Sequence, residues 1–190
     1  MHPSNPRGVT LIEVLMVVAI FAIIAAVGLP NLIGALQRNR ARGAADTIAV
    51  AARDARARAV STGWEFRVFG FNNESATRPN QFRIEGRANS GVAWPAAAVV
   101  GPMTTDTQMA ERWTDMAVEY PGVRLNVGDA GQCGDPLGGG VQTFCIEYSS
   151  RGLLNGLSYQ GPGGNLQVVD AGGNVARRVG AAVAGAVRVF

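Results

Sequence analysis

The sequence predicts an α+β chain: a long N-terminal helix, membrane-spanning in its first half, packed on an antiparallel, β-sandwich-like globular domain. Three observations lead to that class. Residues 9–29 form an apolar run of 21 residues in which only Thr10 and Glu13 are clearly polar. An Ala- and Arg-rich stretch of helical spacing continues from it as far as Thr62. After Gly63 the pattern changes to short alternating runs separated by Gly, Pro, Asn and Asp clusters, which is how strands and turns read.

At about 1.5 Å per residue, a helix of this length crosses about 30 Å, the thickness of a hydrocarbon core. A buried core helix does not need so long a run. A secretory signal ends at a small-residue cleavage site, whereas here the run passes through Gly28-Leu29-Pro30 into further helical pattern. The segment therefore reads as a retained membrane helix. Glu13 is its anomaly, because a carboxylate inside such a run costs about 3 kcal/mol on insertion scales and marks a functional position. It needs a cationic partner. Arg7 lies outside the run, so the partner has to come from another chain or from a newly created terminus.

In the second half of the helix, Leu36, Ala44, Ile48, Ala52, Ala55 and Ala59 recur at spacings of three, four or eight and define one face. Asp54 with Arg58, and more weakly Arg42 with Asp46, have the i,i+4 spacing of a helical ion pair. Pro30 removes a backbone hydrogen bond within the helix, and Gly34 and Gly43 lower its propensity. Arg38, Arg40, Arg42, Arg53, Arg56 and Arg58 against Asp46 and Asp54 give this segment a charge of +4 (6 minus 2). A solvated face or anionic headgroups account for that excess; contact with acidic groups on neighbouring subunits is the sharper reading.

Strands are predicted at 64–71, 81–85, 116–120, 123–127, 141–148, 166–169, 174–178 and 187–190. The stretch 88–112 reads as a long loop with a short helix near Asp106–Trp113, and long loops of this kind often carry specificity. Trp64, Trp94 and Trp113 read as core or rim residues. Cys133 and Cys145 stand 12 positions apart, a spacing that fits neither a redox nor a zinc motif. They form either one disulfide, which implies an oxidising compartment, or two unpaired thiols.

Composition removes most chemistry. Of 190 residues, 47% are hydrophobic and 16% charged, which is too apolar for a disordered chain. The formal charge is +3 (17 minus 14), every basic residue is Arg, and the sole histidine is His2. No Ser-His-Asp triad, Cys-His pair, Schiff-base lysine or P-loop can be assembled. Asp115 with Glu119, and Asp129 with Asp135, lack calcium-loop spacing and read as solvated turn carboxylates. No enzyme, cofactor or metal is expected.

Arg7-Gly8 followed by Val9-Thr10-Leu11-Ile12-Glu13-Val14-Leu15 resembles the prepilin processing signal of type IV pilins and type II secretion pseudopilins. That resemblance implies a type IV pilin-like fold with a leader at residues 1–8, an assembly and membrane segment at 9–29, a periplasmic half of the helix at 30–62 and a β-rich domain at 63–190. It implies cleavage after Gly8 by prepilin peptidase and N-methylation of Val9, a position where Phe or Met is more usual. Glu13 then matches the family's glutamate, which pairs with the terminal amine of a neighbouring subunit, and Pro30 matches a proline near the end of the membrane helix. One signal opposes this topology. Arg38, Arg40 and Arg42 follow the span and only Arg7 precedes it, so the positive-inside rule alone places the domain in the cytoplasm. The cysteine pair and the resemblance place it in the periplasm, anchored in a bacterial inner membrane.

The segments Cys145–Gly152, Leu166–Val169, Ala176–Val179 and Ala184–Phe190 resemble GspH/FimT-type minor pseudopilins. Some DNA-importing relatives contact nucleic acid through a Gly-Arg-x-Arg tail; here the tail is Gly185-Ala186-Val187-Arg188, with Ala in place of one arginine. Arg177, Arg178 and Arg188 are the candidate nucleic-acid contacts, and a patch of three supplies only a few phosphate contacts. The expected partners are prepilin peptidase, other pilins or pseudopilins through the N-terminal helix, the inner membrane and secreted proteins, with DNA as the alternative.

Overall fold

The computed structural model describes residues 9–76, 78–127, 143–155, 165–182 and 184–190. The chain divides into two compact units, Met1–Leu36 and Gln37–Phe190, and helix α1 (Leu11–Thr62) contributes to both. In the first unit α1 leaves large apolar side chains uncovered, among them Leu11, Ile12, Leu15, Phe21 and Ile24. An 18-residue window with a mean hydropathy of 2.8 makes this helix long and apolar enough to cross a membrane. At the other end of α1, Gly63 adopts a φ of +74° and its amide reaches the Ala59 carbonyl at 3.0 Å, so a left-handed glycine closes the last turn.

The second unit wraps two antiparallel sheets around the C-terminal half of α1. One has six strands: β1 (Glu65–Phe71), β2 (Gln81–Arg87), β3 (Met103–Thr104), β4 (Gln108–Ala110), β5 (Thr114–Asp115) and β7 (Thr143–Tyr148). Its order is β3-β4-β2-β1-β7, with β5 also on β2. The other has four, in the order β10 (Val187–Val189), β9 (Val175–Ala181), β8 (Asn165–Val169) and β6 (Arg124–Val127). Strand periodicity sends alternate residues to opposite faces. Phe66 and Val68 of β1, Phe82 and Ile84 of β2, and Phe144, Ile146 and Tyr148 of β7 therefore share one face and meet the helix. Leu125, Leu166, Val168 and Val179 of the second sheet complete the same core.

The helix answers with small side chains. Ala41, Ala44, Ala45, Ala49, Ala52, Ala55 and Ala59 are fully buried together with Ile48. Alanine lets the strands approach closely, so the bulk comes from the sheets. Gly43 carries this furthest: a Cβ there would lie 2.7 Å from the Tyr120 ring, and the Tyr120 hydroxyl is held by Thr47 at 2.7 Å. The glycine that lowers helix propensity is the seat of an aromatic ring.

Two expectations are corrected. Residues 116–120 are not a strand. Asp115 caps a short helix, α2 (Met116–Glu119), by accepting the amides of Ala117 and Val118 at 2.9 and 3.4 Å. The stretch near Asp106–Trp113 is not a helix but the β3–β4 hairpin. There the Thr105 hydroxyl accepts the Gln108 amide at 2.9 Å, a side-chain-to-backbone bond that competes with helix formation. β9 also runs on to Ala181, beyond the predicted end at 178.

The far face of the six-stranded sheet is buried as well, and largely by charge. Glu85 is fully buried between Arg67, at 2.7 Å, and Arg83, whose side chain is also fully buried. Arg87 pairs with Glu65 at 2.7 Å and with Glu147 at 3.4 Å. Trp94 receives the guanidinium groups of Arg67 and Arg87, each 4.3 Å from its ring centroid, and Trp113 receives Arg83 at the same distance. Arg83 and the Trp113 indole N–H both donate to the Val99 carbonyl, so loop 88–102 is held down over the charged strands. Burial pulls the Arg67 guanidinium below its ordinary pKa, with Glu85 opposing that shift.

Two predictions follow from these contacts. Glu85→Gln leaves Arg67 and Arg83 buried without their counter-charge, which is worth about 3–5 kcal/mol; denaturant titration of the detergent-solubilised chain should show that loss, and a change below 1 kcal/mol would refute the role given to the pair. Tyr148 is buried and its hydroxyl has no hydrogen-bond partner among the described residues. Burial pushes its pKa up to about 12. The folded state thus keeps a proton that the unfolded chain sheds near pH 10, so this contribution is complete below pH 10 and is lost as pH climbs toward 12. Tyr148→Phe should be at least as stable as the parent at pH 7 and should retain up to about 3 kcal/mol that the parent loses across that window.

Candidate functional site

The head of α1 is built by a reciprocal cap. Thr10 precedes the first helical residue, and its backbone carbonyl accepts the Val14 amide at 3.3 Å. Its hydroxyl accepts the Glu13 amide at 3.3 Å. In return Glu13 Oε2 accepts the Thr10 amide at 2.9 Å and the Thr10 hydroxyl at 3.0 Å. This is the Thr-x-x-Glu capping box, which satisfies helix-end amides that otherwise lack partners. The signal stands in the sequence as a Thr three residues before a Glu at the start of an apolar run. The carboxylate is therefore hydrogen-bonded by its own chain before any second chain arrives. Among the described residues, Glu13 Oε1 accepts no hydrogen bond.

Val9 is exposed and precedes the cap. Gly8 and the rest of the predicted leader lie outside the described residues, and Pro30 falls within α1. Cys145 sits on the far face of β7, is buried and is disulfide-bonded; Cys133 lies outside the described residues.

The three candidate arginines are not one patch. Arg188 of β10 lies opposite Gly180 of β9, and Val189 opposite Val179. Arg178 and Arg188 therefore share the outer face of the four-stranded sheet, and both are exposed. Arg177 alternates to the other face, with the buried Val179 and Ala181. Gly185 of the tail has a structural duty. Its φ is +82°, and a Cβ there would lie 2.2 Å from the Gly152 carbonyl oxygen. Arg56 of α1 reaches the same place, donating to the Gly152 and Ala184 carbonyls at 3.0 and 2.9 Å.

Among the described residues, no group of three His, Cys, Asp or Glu side chains is placed to hold a metal ion. Asp115 is occupied as a helix cap. Asp129 and Asp135 lie outside the described residues.

Residues 3–29 match the family model for the prokaryotic N-terminal methylation motif. No curated protein and no solved structure is a match for this chain. The matched segment contains the Thr10–Glu13 box and most of the uncovered apolar helix. The motif marks the chain as type IV pilin-like and processed by prepilin peptidase.

Proposed function

We propose that this chain is a structural, non-enzymatic minor pilin or pseudopilin of the GspH/FimT kind. It is cleaved after Gly8, methylated at Val9 and assembled through α1 into a type II secretion pseudopilus or a type IV pilus, near the tip. The observation that carries this reading is the capped Glu13 at the head of an uncovered apolar helix, inside the matched methylation motif. Cleavage creates an ammonium group at Val9, and Glu13 Oε1 is open to receive that of an adjoining subunit. The charge pair, with close packing of neighbouring α1 segments, offsets extraction from the bilayer. The β-domain stands in the periplasm and contacts other minor subunits or secreted proteins. A Cys133–Cys145 disulfide suits that compartment.

A second reading, DNA uptake, is favoured by the exposed Arg178 and Arg188, diagonal to one another on one sheet face. Two arginines neutralise few phosphates, so such binding is weak and falls steeply with salt.

Two tests separate these readings. Mass spectrometry should find the mature chain beginning at methylated Val9, Gly8→Ala should block processing, and Glu13→Ala should lower incorporation into fibres at least tenfold with membrane levels unchanged. A mature protein that still begins at Met1, or normal incorporation of the Glu13 variant, sinks the structural reading. Mobility-shift titration of the full chain with duplex DNA at physiological salt should show no retention. Retention that is lost in Arg178→Ala/Arg188→Ala would favour DNA uptake instead.

A further inference from the structure

We infer that a groove between α1 and the β8–β9 turn binds the phosphate of an anionic phospholipid headgroup. Arg38 and Arg42 of α1 face Arg177 of β9 across it, and its volume is about 180 Å³. Several waters would fill that space at roughly 30 Å³ each, so it has room for a headgroup. Asp170 is the acidic residue lining it, and its Oδ1 already accepts the Gly172 and Asn174 amides at 2.9 Å each. Three guanidinium groups against one carboxylate leave the groove at +2. None of the three arginines makes an ion pair among the described residues. Among the described residues, the Arg177 guanidinium donates only to the Ala176 carbonyl, at 3.2 Å.

Strand alternation turns Arg177 away from the exposed pair Arg178 and Arg188 and toward the helix. Guanidinium groups converging without a counter-charge suit a phosphate, which their donor geometry matches. Two features favour a lipid over other phosphates. Arg38 and Arg42 stand two and six residues beyond Leu36, an exposed aliphatic residue that ends the apolar stretch. Val175 and Ala176 also give the groove an apolar wall. The site rests on the reading that the apolar segment is inserted in a membrane.

The test uses the full chain in detergent, with native mass spectrometry after addition of phosphatidylglycerol, phosphatidylcholine, inorganic phosphate or a short DNA oligonucleotide. Phosphatidylglycerol should be retained in preference to the others. Each arginine replaced by Ala should weaken retention about 5-fold, and all three together on the order of 100-fold. Arg178→Ala/Arg188→Ala should leave retention unchanged. Should the triple variant unfold, as judged by circular dichroism, the exposed Arg42→Ala alone still tests the 5-fold loss. Unchanged lipid retention in these variants overturns the site. Retention of inorganic phosphate or of DNA by the same three arginines, in preference to lipid, overturns the assignment to a headgroup. Flotation of carbonate-washed membranes scores insertion separately. A protein that floats yet holds no lipid phosphate sinks only the site, whereas one that fails to float sinks the membrane reading beneath it.

Discussion

The alanine stripe of α1 is the constraint to which the rest of the globular unit answers. Seven alanines and Ile48 are wholly buried along one side of the helix. A stripe of methyl groups offers little area of its own, so the stabilising burial must come from large side chains delivered by the strands. Phe66, Phe82, Phe144, Ile146 and Tyr148 supply it from one sheet, and Leu125, Leu166 and Val179 from the other. Gly43 extends the same logic to a position where even a methyl group would collide with Tyr120. The first part of α1 is built oppositely, with large aliphatics left uncovered. One helix thus carries two chemistries: bulky where lipid or other helices must be met, small where its own sheets press against it.

A second consequence concerns the far face of the six-stranded sheet. The near face holds the apolar side chains that meet the helix. The far face holds Arg67, Arg83, Glu85, Arg87 and Glu147 beside a smaller apolar cluster of Phe69, Phe71 and Cys145, under loop 88–102. Burying ions is expensive, and a buried ion pair is a poor source of net stability compared with apolar packing of the same volume. What such a network supplies is geometry. Each guanidinium has a fixed set of donors, and here they are spent on carboxylates, two tryptophan rings and the carbonyls of one loop. Apolar contacts of Ala97 and Trp113 with Phe69 and Phe71 are non-directional, and the directional bonds of the guanidinium groups fix the register of the cover. The long loop is placed by charge, and the short sheet edge β3–β4 is placed with it.

The sequence made some of this legible, and the limits are physical. Helix spacing marked most of the buried stripe, and period-two alternation marked β1, β2, β6, β7, β8 and β10, because burial on one face leaves a repeating pattern. Residues 116–120 misled because Met-Ala-Val-Glu-Tyr alternates like a strand, while the deciding contact is local: the Asp115 carboxylate on two backbone amides. The Thr105 turn hid the β3–β4 hairpin in the same way. The buried ion lattice was invisible because a charged residue on a strand normally means solvent, and only the folding-over of loop 88–102 makes it interior. Arg177 and Arg178 are neighbours in sequence and read as one patch, yet adjacent strand residues point to opposite faces. The Thr10–Glu13 box, by contrast, is wholly legible in the sequence, because both partners and their spacing are local.

The arginines after the apolar segment remain the strongest argument against a periplasmic domain, since positive residues normally mark the cytoplasmic side of a span. The fold gives one of the three that follow the span, Arg40, and two arginines further along the helix, Arg56 and Arg58, other work. Arg40 donates to the Pro121 carbonyl at 3.3 Å. Arg56 ties the Gly152 turn to the Ala184 turn. Arg58 bridges Asp54 and Glu111, both at 2.7 Å, and these carboxylates hold its pKa above the ordinary value against the opposing effect of burial. A helix faced with alanine has no long apolar arms with which to grip the loops around it, and guanidinium groups on flexible stems provide that reach. Arg40, Arg56 and Arg58 are thus accounted for by how a small-residue helix holds its loops and turns, whereas Arg38 and Arg42 make no ion pair among the described residues.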